Sequence, residues 1–324
     1  MSSVTTVAIT CCTLFFIIFL LGAIFRKRLT NDIVFILILI FVPFLLGFFL
    51  FSIHLDHIQD EHFNASTSHT VAVATLTRGF ADRPGYDPLI RRNHSIEEHV
   101  YGVLRPDVLI FHESNVTNED KEYIQSKTTM PLIFVNVDVD FRSRQYASST
   151  EHCKTTSLSE SFSMGYKNMC KFWFDGFLKH TVKYDYVIRI DEDCTLISWP
   201  GDLIDVMKDR NIRIASANIH ESDSADVIVG LESLVKSKFP DRSIEMNKLP
   251  YTNLIIFDVE FFRNSIEFVK FASMIDETNC IYINRWGDLP LWGMAIQALL
   301  SSKDDVLEDK RIKYHHGSHN LDVN

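Results

Sequence analysis

The stretch Tyr184-Asp-Tyr-Val-Ile-Arg-Ile190, running straight into Asp191-Glu192-Asp193, decides the fold. An apolar run of this length bounded by a polar break reads as a buried strand. Other runs of the same kind precede it: Val71-Ala-Val-Ala-Thr-Leu-Thr77, Asp107-Val-Leu-Ile-Phe111 and Pro131-Leu-Ile-Phe-Val-Asn-Val137. Helical patterns separate them, at Leu89–Leu104, at 117–127 and at Met164–His180, the last with Met169, Phe172, Trp173, Phe177 and Leu178 facing the core. A polar loop rich in Ser and Thr lies between, from Arg142 to Glu160. Beyond the acid triplet the pattern predicts helix 203–209, strand 212–218, helix 225–237, strand Leu254–Phe257, helix Phe261–Ile275 and helix Leu289–Leu300. Continuous apolar strands alternating with helices indicate one α/β domain with a mostly parallel sheet covered on both faces.

Such a sheet binds ligands at the carboxyl ends of its strands. There, two aspartates two residues apart suit a hard divalent cation such as Mn²⁺ or Mg²⁺, with a nucleotide diphosphate neutralised by the ion. Most acid-any-acid patterns are solvated turns, and Asp138-Val139-Asp140 after the third strand is a rival.

The other end of the chain has a different composition. The chain has 324 residues, 46% hydrophobic and 23% charged, which excludes a disordered chain. Residues 1–53 hold four of the charged side chains, Arg26, Lys27, Arg28 and Asp32. Val4–Phe25 and Ile33–Ile53 are uncharged runs, each long enough for a helix to cross a bilayer. Pro43 in the second run is tolerable there. A cleaved signal peptide is the alternative for the first run, but it lacks a basic start and is longer than the usual apolar core of ~7–15 residues. With Arg26-Lys27-Arg28 on the cytosolic side, residues 1–53 form a transmembrane helical hairpin. Residues 54–69 are then a stalk and 70–324 a luminal domain in the Golgi or ER membrane. Residues 54–324 carry 29 basic and 41 acidic residues, which does not suit a nucleic-acid binder.

Three sequons, Asn64-Ala-Ser, Asn93-His-Ser and Asn115-Val-Thr, lie in that luminal part, although so short a pattern also arises by chance. Outside the first apolar run stand Cys153, Cys170, Cys194 and Cys280, compatible with two disulfides in any of three connectivities. No Cys/His array has the spacing of a structural zinc site.

Two blocks resemble glycosyltransferase family 15, the fungal-type Golgi α-1,2-mannosyltransferases. The first is Ser163-Met-Gly-Tyr166-Lys-Asn-Met169-Cys170-Lys171-Phe172, then Gly176-Phe177, Lys179-His180 and the strand ending Arg189-Ile-Asp191-Glu-Asp193. It is similar to the family's Tyr-x-x-Met-Cys-Arg-Phe helix and Arg-x-acid-Pro-Asp strand end. The second runs from Tyr251-Thr-Asn253 through Asp258-Val-Glu-Phe-Phe-Arg263 to Asn284-Arg285-Trp286-Gly287-Asp288-Leu-Pro290, similar to Arg-Trp-Gly-Asp-Ala-Pro. From 71 to 160 the match is architectural only, and a two-helix anchor departs from the family's single one.

The resemblance implies a GT-A fold, a GDP-mannose donor, Mn²⁺, and transfer with retention to a glycan or glycoprotein. Asp193 and His316 match metal ligands; Tyr166, Lys171, Arg189 and Asp191 fall at cofactor-binding positions. An imidazole is a good Mn²⁺ ligand, though a histidine near a terminus is more often solvated. Tyr166 has core packing as its plain alternative. Trp286 would offer an apolar wall beside the sugar, and Asp288 a carboxylate, unless that run merely starts a helix with Asp288 at the cap and Pro290 in the first turn.

One departure bears on the chemistry. The family's candidate nucleophile, a glutamate, falls at Ile255, and isoleucine neither attacks nor stabilises an oxocarbenium ion. Three explanations stand. Transfer needs no protein nucleophile; or Asp288, Asp258 or Glu260 takes the carboxylate's role; or activity is lost and a sugar-nucleotide or glycan pocket is kept. A transferase for a different nucleotide-sugar, a metal-dependent hydrolase and a protein acting through its membrane hairpin compete with the mannosyltransferase reading.

Overall fold

The computed structural model describes residues 70–141, 146–300 and 305–317. The apolar runs at 4–25 and 33–53 and the stalk lie outside the described residues, among which no helix is long and apolar enough to cross a membrane.

Strand β1 (Val71–Thr77) pairs in parallel with β2 (Asp107–His112) and β4 (Tyr186–Ile190), and β2 with β3 (Leu132–Asn136). The sheet continues through β7 (Leu254–Asp258), β6 (Ile214–Ser216) and β8 (Val306–Glu308), in the order β3-β2-β1-β4-β7-β6-β8. Strand β7 is antiparallel to both its neighbours, whereas β6 and β8 are parallel. The sheet is therefore mixed but mostly parallel. A second, two-stranded antiparallel sheet pairs β5 (Cys194–Ser198) with β9 (Lys313–His316).

Side chains alternate across the sheet because a strand has period two. Ala72, Ala74 and Phe111 join one apolar cluster, Val73, Val108 and Ile110 the other. Helices α1 (Asp87–Ile96), α2 (Asn118–Gln125) and α4 (Leu203–Asp209) cover the second cluster with Leu89, Ile96, Ile124, Leu203 and Met207. On the first cluster lie α3 (Met164–Phe174), α5 (Leu231–Lys238), α6 (Val259–Asn264), α7 (Ile266–Thr278) and α8 (Asp288–Leu299). Trp292 of α8 centres that side, stacked on Phe268 at 5.2 Å, with its Nε1 donating to the Trp173 carbonyl at 2.9 Å.

Several expected helices are interrupted, each for a local reason. The run 164–180 breaks at Asp175 (φ −142°) and finishes as a tighter turn, Gly176–His180. The run 261–275 splits at Ser265, whose hydroxyl accepts from Phe268 N at 3.1 Å and caps α7. The run 225–237 begins in earnest only after Gly230, which sits at φ +82°; a Cβ there would stand 1.7 Å from the His152 carbonyl oxygen.

Cys153 and Cys280 form a disulfide, while Cys170 and Cys194 are free and buried. A Cys170–Cys194 bridge is excluded by the sheet itself, since Cys170 belongs to one apolar cluster and Cys194 to the other. The observed bridge closes a loop of 127 residues. Replacing Cys153 by Ser is expected to cost about 2–5 kcal/mol, read as a lower urea midpoint with a steeper slope, because the unfolded chain is no longer cross-linked.

Candidate functional site

Strand β4 ends in a tight turn in which the Cys194 amide donates to the Asp191 carbonyl at 3.0 Å. That turn splits the three acids. Asp191 is drawn toward Arg189, whose Nε donates to Oδ1 at 2.9 Å. Glu192 leans to the end of β1 and accepts from the Thr77 hydroxyl at 2.7 Å. Asp193 faces β9, where its Oδ1 is 3.3 Å from His316 Nε2.

The two strands β5 and β9 fix that last contact. Cys194 is directly opposite His316 in the antiparallel register, and Gly317 N donates to the Asp193 carbonyl at 2.9 Å. Gly317 is needed close in, since a Cβ there would lie 3.1 Å from that same oxygen. The imidazole is 8% exposed, with Asn253 Nδ2 at 2.9 Å from Nε2 and the Tyr251 hydroxyl at 3.2 Å from Nδ1. Ligand-type atoms of Asp193, Cys194 and His316 all lie within 4.8 Å of one another. A carboxylate oxygen and an imidazole nitrogen so placed fit a divalent cation.

Contacts run on from His316 through Asn253, whose Nδ2 reaches Asp191 Oδ2 at 3.4 Å, to Arg189. The Arg189 guanidinium also bonds Asp288 and lies 4.6 Å from the Trp173 ring centroid. Burial alone would raise the Asp288 carboxyl, but the charge and hydrogen bond of Arg189 outweigh it and hold it below the ordinary value. At Asp191 burial wins, and its carboxyl is raised despite Arg189. Glu192 is raised for the same reason, against the Thr77 bond and the Arg78 charge.

Tyr166 accepts from Arg285 at 2.7 Å, and burial pushes its phenol up to about 12. The Arg285 guanidinium lies 4.6 Å from the Phe162 ring and 5.1 Å from the Tyr166 ring, and its other arm reaches Asp223 at 2.6 Å. The Arg285 backbone is left-handed, at φ +70°.

Arg189, Asp191, Asp193, Asp288 and His316 are thus brought into one network, and Tyr166 stands near it with Arg285, whose charge helps to lower the Asp288 carboxyl. Lys171 is not: its ammonium is held by Asp175 and Asp276, each at 2.6 Å. Asp258 and Glu260 are also elsewhere. Because β7 runs antiparallel, Asp258 lies opposite Tyr186, at the start of β4, four residues and roughly 14 Å from the site end. There Asp258 caps α6 and pairs with Arg213 at 2.6 Å, while Glu260 is exposed to solvent. Trp286 is fully buried with Nε1 donating to the Val229 carbonyl, so it forms no wall for a sugar. In the rival triplet, Asp138 accepts from Ser114 N at 2.7 Å and Asp140 holds His180 at 2.8 Å.

Sequence reasoning misses Thr77, Tyr251, Thr252 and Cys194, and treats Asn253 only as a landmark. Thr252 bonds Asp288, and Tyr251 and Asn253 hold the imidazole. Their place just before an apolar strand is the available signal, hidden by that strand's unread direction. Arg92 is missed too. It is fully buried on α1, donates to the Ile190 carbonyl at 3.0 Å beneath the acid turn, and is lowered to about 9 by burial.

The buried Arg189–Asp288 pair makes a stability prediction. Arg189→Met strands a buried carboxylate and is expected to cost about 3–5 kcal/mol. Since the folded carboxyl of Asp288 sits below 3.8, the pair contributes fully above that pH and is lost as pH falls through the lowered value. In the variant the acid-unfolding midpoint, followed by circular dichroism, therefore moves to higher pH.

No protein-family model matches the chain. A probable mannosyltransferase of Saccharomyces cerevisiae, KTR2, is 25% identical over 188 residues, covering 48% of this chain and 44% of the relative. A probable mannosyltransferase of Candida albicans, MNT3, is 25% identical over 173 residues with the same coverage. The chain thus spans less than half the length of the curated relatives it matches. The solved structure of the mannosyltransferase Ktr4p from S. cerevisiae superposes with a TM-score of 0.64 at 18% identity, over 78% of this chain and 72% of that one. Core-mannan synthase A from Aspergillus fumigatus, solved in an Mn/GDP form, superposes at 0.63 with 16% identity, over 78% and 76%. In sequence the chain is glycosyltransferase family 15-like, and its α/β fold is the one those mannosyltransferases have.

Proposed function

We propose that this chain is a metal-dependent glycosyltransferase that moves mannose from GDP-mannose to a hydroxyl of a glycan or glycoprotein, with retention of configuration. The observation that carries the reading is the Asp193–His316 contact at the carboxyl end of a parallel strand. Relatives named as mannosyltransferases and a neighbour solved with Mn and GDP support the donor and the ion.

Asp193 and His316 would hold Mn²⁺, which when bound neutralises a diphosphate leaving group. The protein's part is to fix those two ligands. Asn253 and Tyr251 orient the imidazole, and the β5–β9 pairing holds the backbone on either side. Asp191 is turned away to Arg189, and Tyr166 and Arg285 form a cation-and-ring surface beside Asp288 for the nucleotide.

Ile255 is fully buried directly opposite Arg189, so no carboxylate stands at that place. Asp258 and Glu260 are at the far end of the strand, and Asp288 is saturated by Arg189 and Thr252. The arrangement therefore favours front-face transfer. The acceptor oxygen bonds to the anomeric carbon as the diphosphate leaves from the same side, and the departing phosphate takes the acceptor's proton. Residues 1–53 serve as the membrane hairpin and 54–69 as the stalk, with 70–324 on the luminal side of the Golgi or ER membrane.

The buried Ile255 also favours a second reading, a binding protein on the same fold. Full-length protein with Mn²⁺ and GDP-mannose is expected to release GDP only when a suitable acceptor is added. Nucleotide binding without turnover across a panel of acceptors and donors supports the second reading; equal donor loss without acceptor indicates a hydrolase. Asp193→Ala is expected to weaken Mn²⁺-dependent GDP binding by roughly a hundredfold in calorimetry while leaving the unfolding midpoint in place. Unchanged binding would remove Asp193 from the metal site.

A further inference from the structure

Cys194 stands beside the proposed cation ligands, and its surroundings differ from those of an ordinary buried thiol. It is fully buried, takes no part in a disulfide, and is the residue directly across from His316 in the β5–β9 pair. Directly opposed residues of an antiparallel pair point to the same side, with Cβ atoms about 4.5–5.5 Å apart. The side chain therefore leaves β5 on the face from which the imidazole leaves β9. The sulfur, the imidazole nitrogen and the Asp193 carboxylate oxygen all lie within 4.8 Å of one another, and the oxygen–nitrogen separation is 3.3 Å. Around a tetrahedral ion, with a metal–sulfur distance near 2.3 Å and metal–nitrogen and metal–oxygen distances of about 2.0–2.2 Å, ligand atoms are roughly 3.3–3.7 Å apart. A small inward movement of one side chain closes the set.

A packing role is the plain alternative, because Cys194 also touches the cluster of Ile190, Leu196 and Leu254. Packing alone, however, does not require a residue whose sulfur shares one space with a carboxylate and an imidazole.

We propose that Cys194 is a third, sulfur ligand of the cation site, so that the site prefers thiophilic divalent ions. Zn²⁺ and Cd²⁺ then bind more tightly than Mn²⁺ and displace it, and Mg²⁺ binds weakest. On binding, the ion takes the sulfur as thiolate and the thiol proton passes to solvent. This inference rests on the reading of Asp193 and His316 as cation ligands.

The test uses the full chain with Cys11 and Cys12 replaced by Ser, so that Cys170 and Cys194 are the free thiols left. Titration with Cd²⁺ is expected to raise the ultraviolet sulfur-to-cadmium charge-transfer band. Cys194→Ser is expected to abolish that band and to weaken Cd²⁺ binding by roughly 10–100-fold, whereas Cys170→Ser keeps both. X-ray absorption of the zinc-loaded protein needs no variant at Cys194 and is expected to show one sulfur near 2.3 Å. If Cd²⁺ or Zn²⁺ binds with no sulfur in its shell, the thiol is not a ligand, and the Asp193–His316 reading survives. If neither these ions nor Mn²⁺ binds, both fall together.

Discussion

The site depends on one buried cation. Arg189 is 2% exposed, and a guanidinium in that position is tolerable only if it is paired and hydrogen-bonded. Its two carboxylates come from very different parts of the chain: Asp191 two residues on, and Asp288 ninety-nine residues on, at the first turn of α8. The guanidinium therefore pins the end of β4 to the start of that helix, and Trp173 supplies a flat floor beneath it. A consequence follows for the acid turn. With Asp191 engaged by Arg189 and Glu192 by Thr77, Asp193 is the acid of the three that faces His316. Which acid meets the imidazole is decided by neighbours that lie outside the pair.

Strand direction is the second constraint. A single reversed strand, β7, sits between β4 and β6 and brings the residues that precede it to the site. Tyr251, Thr252 and Asn253 arrive next to His316 and Asp288, and Asp258 leaves for the opposite edge to cap a helix. Chain order along this segment thus runs opposite to its counterpart at β4, where the functional side chains follow the strand.

This explains which features are legible in the sequence and which are not. The strand 71–77 and the helix 203–209 are found as read, because apolar period and turn residues are local signals. The acid triplet at a strand end is equally legible. An apolar run carries no arrow, however, so Leu254–Phe257 looks the same in either direction, and a reading without that arrow places Asp258 and Glu260 at the wrong end. Pairing of β5 with β9 joins Cys194 to His316 across more than a hundred residues, and neither strand is a continuous apolar run that would announce it. The resemblance to a family supplies His316; nothing in composition or spacing does. Cysteine identity likewise does not show that Cys170 and Cys194 lie on opposite faces of one sheet.

The isoleucine at 255, where the family that the chain resembles has a glutamate, becomes intelligible in these terms. Opposed residues in the β4–β7 pair share a face, so a side chain at 255 emerges beside Arg189. An isoleucine there leaves the guanidinium charge to be met by Asp288 from the helix side. The first turn of a helix favours an anion, and Thr252 donates to it as well. An oxygen held by a guanidinium, a hydroxyl and a helix terminus keeps its negative charge but has little freedom to form a bond to carbon. The network thus retains the electrostatics of a carboxylate beside Arg189 and gives up its reactivity. That division suits the front-face transfer proposed above, which asks the protein for fixed charges around the leaving group and the sugar and for no side chain that attacks.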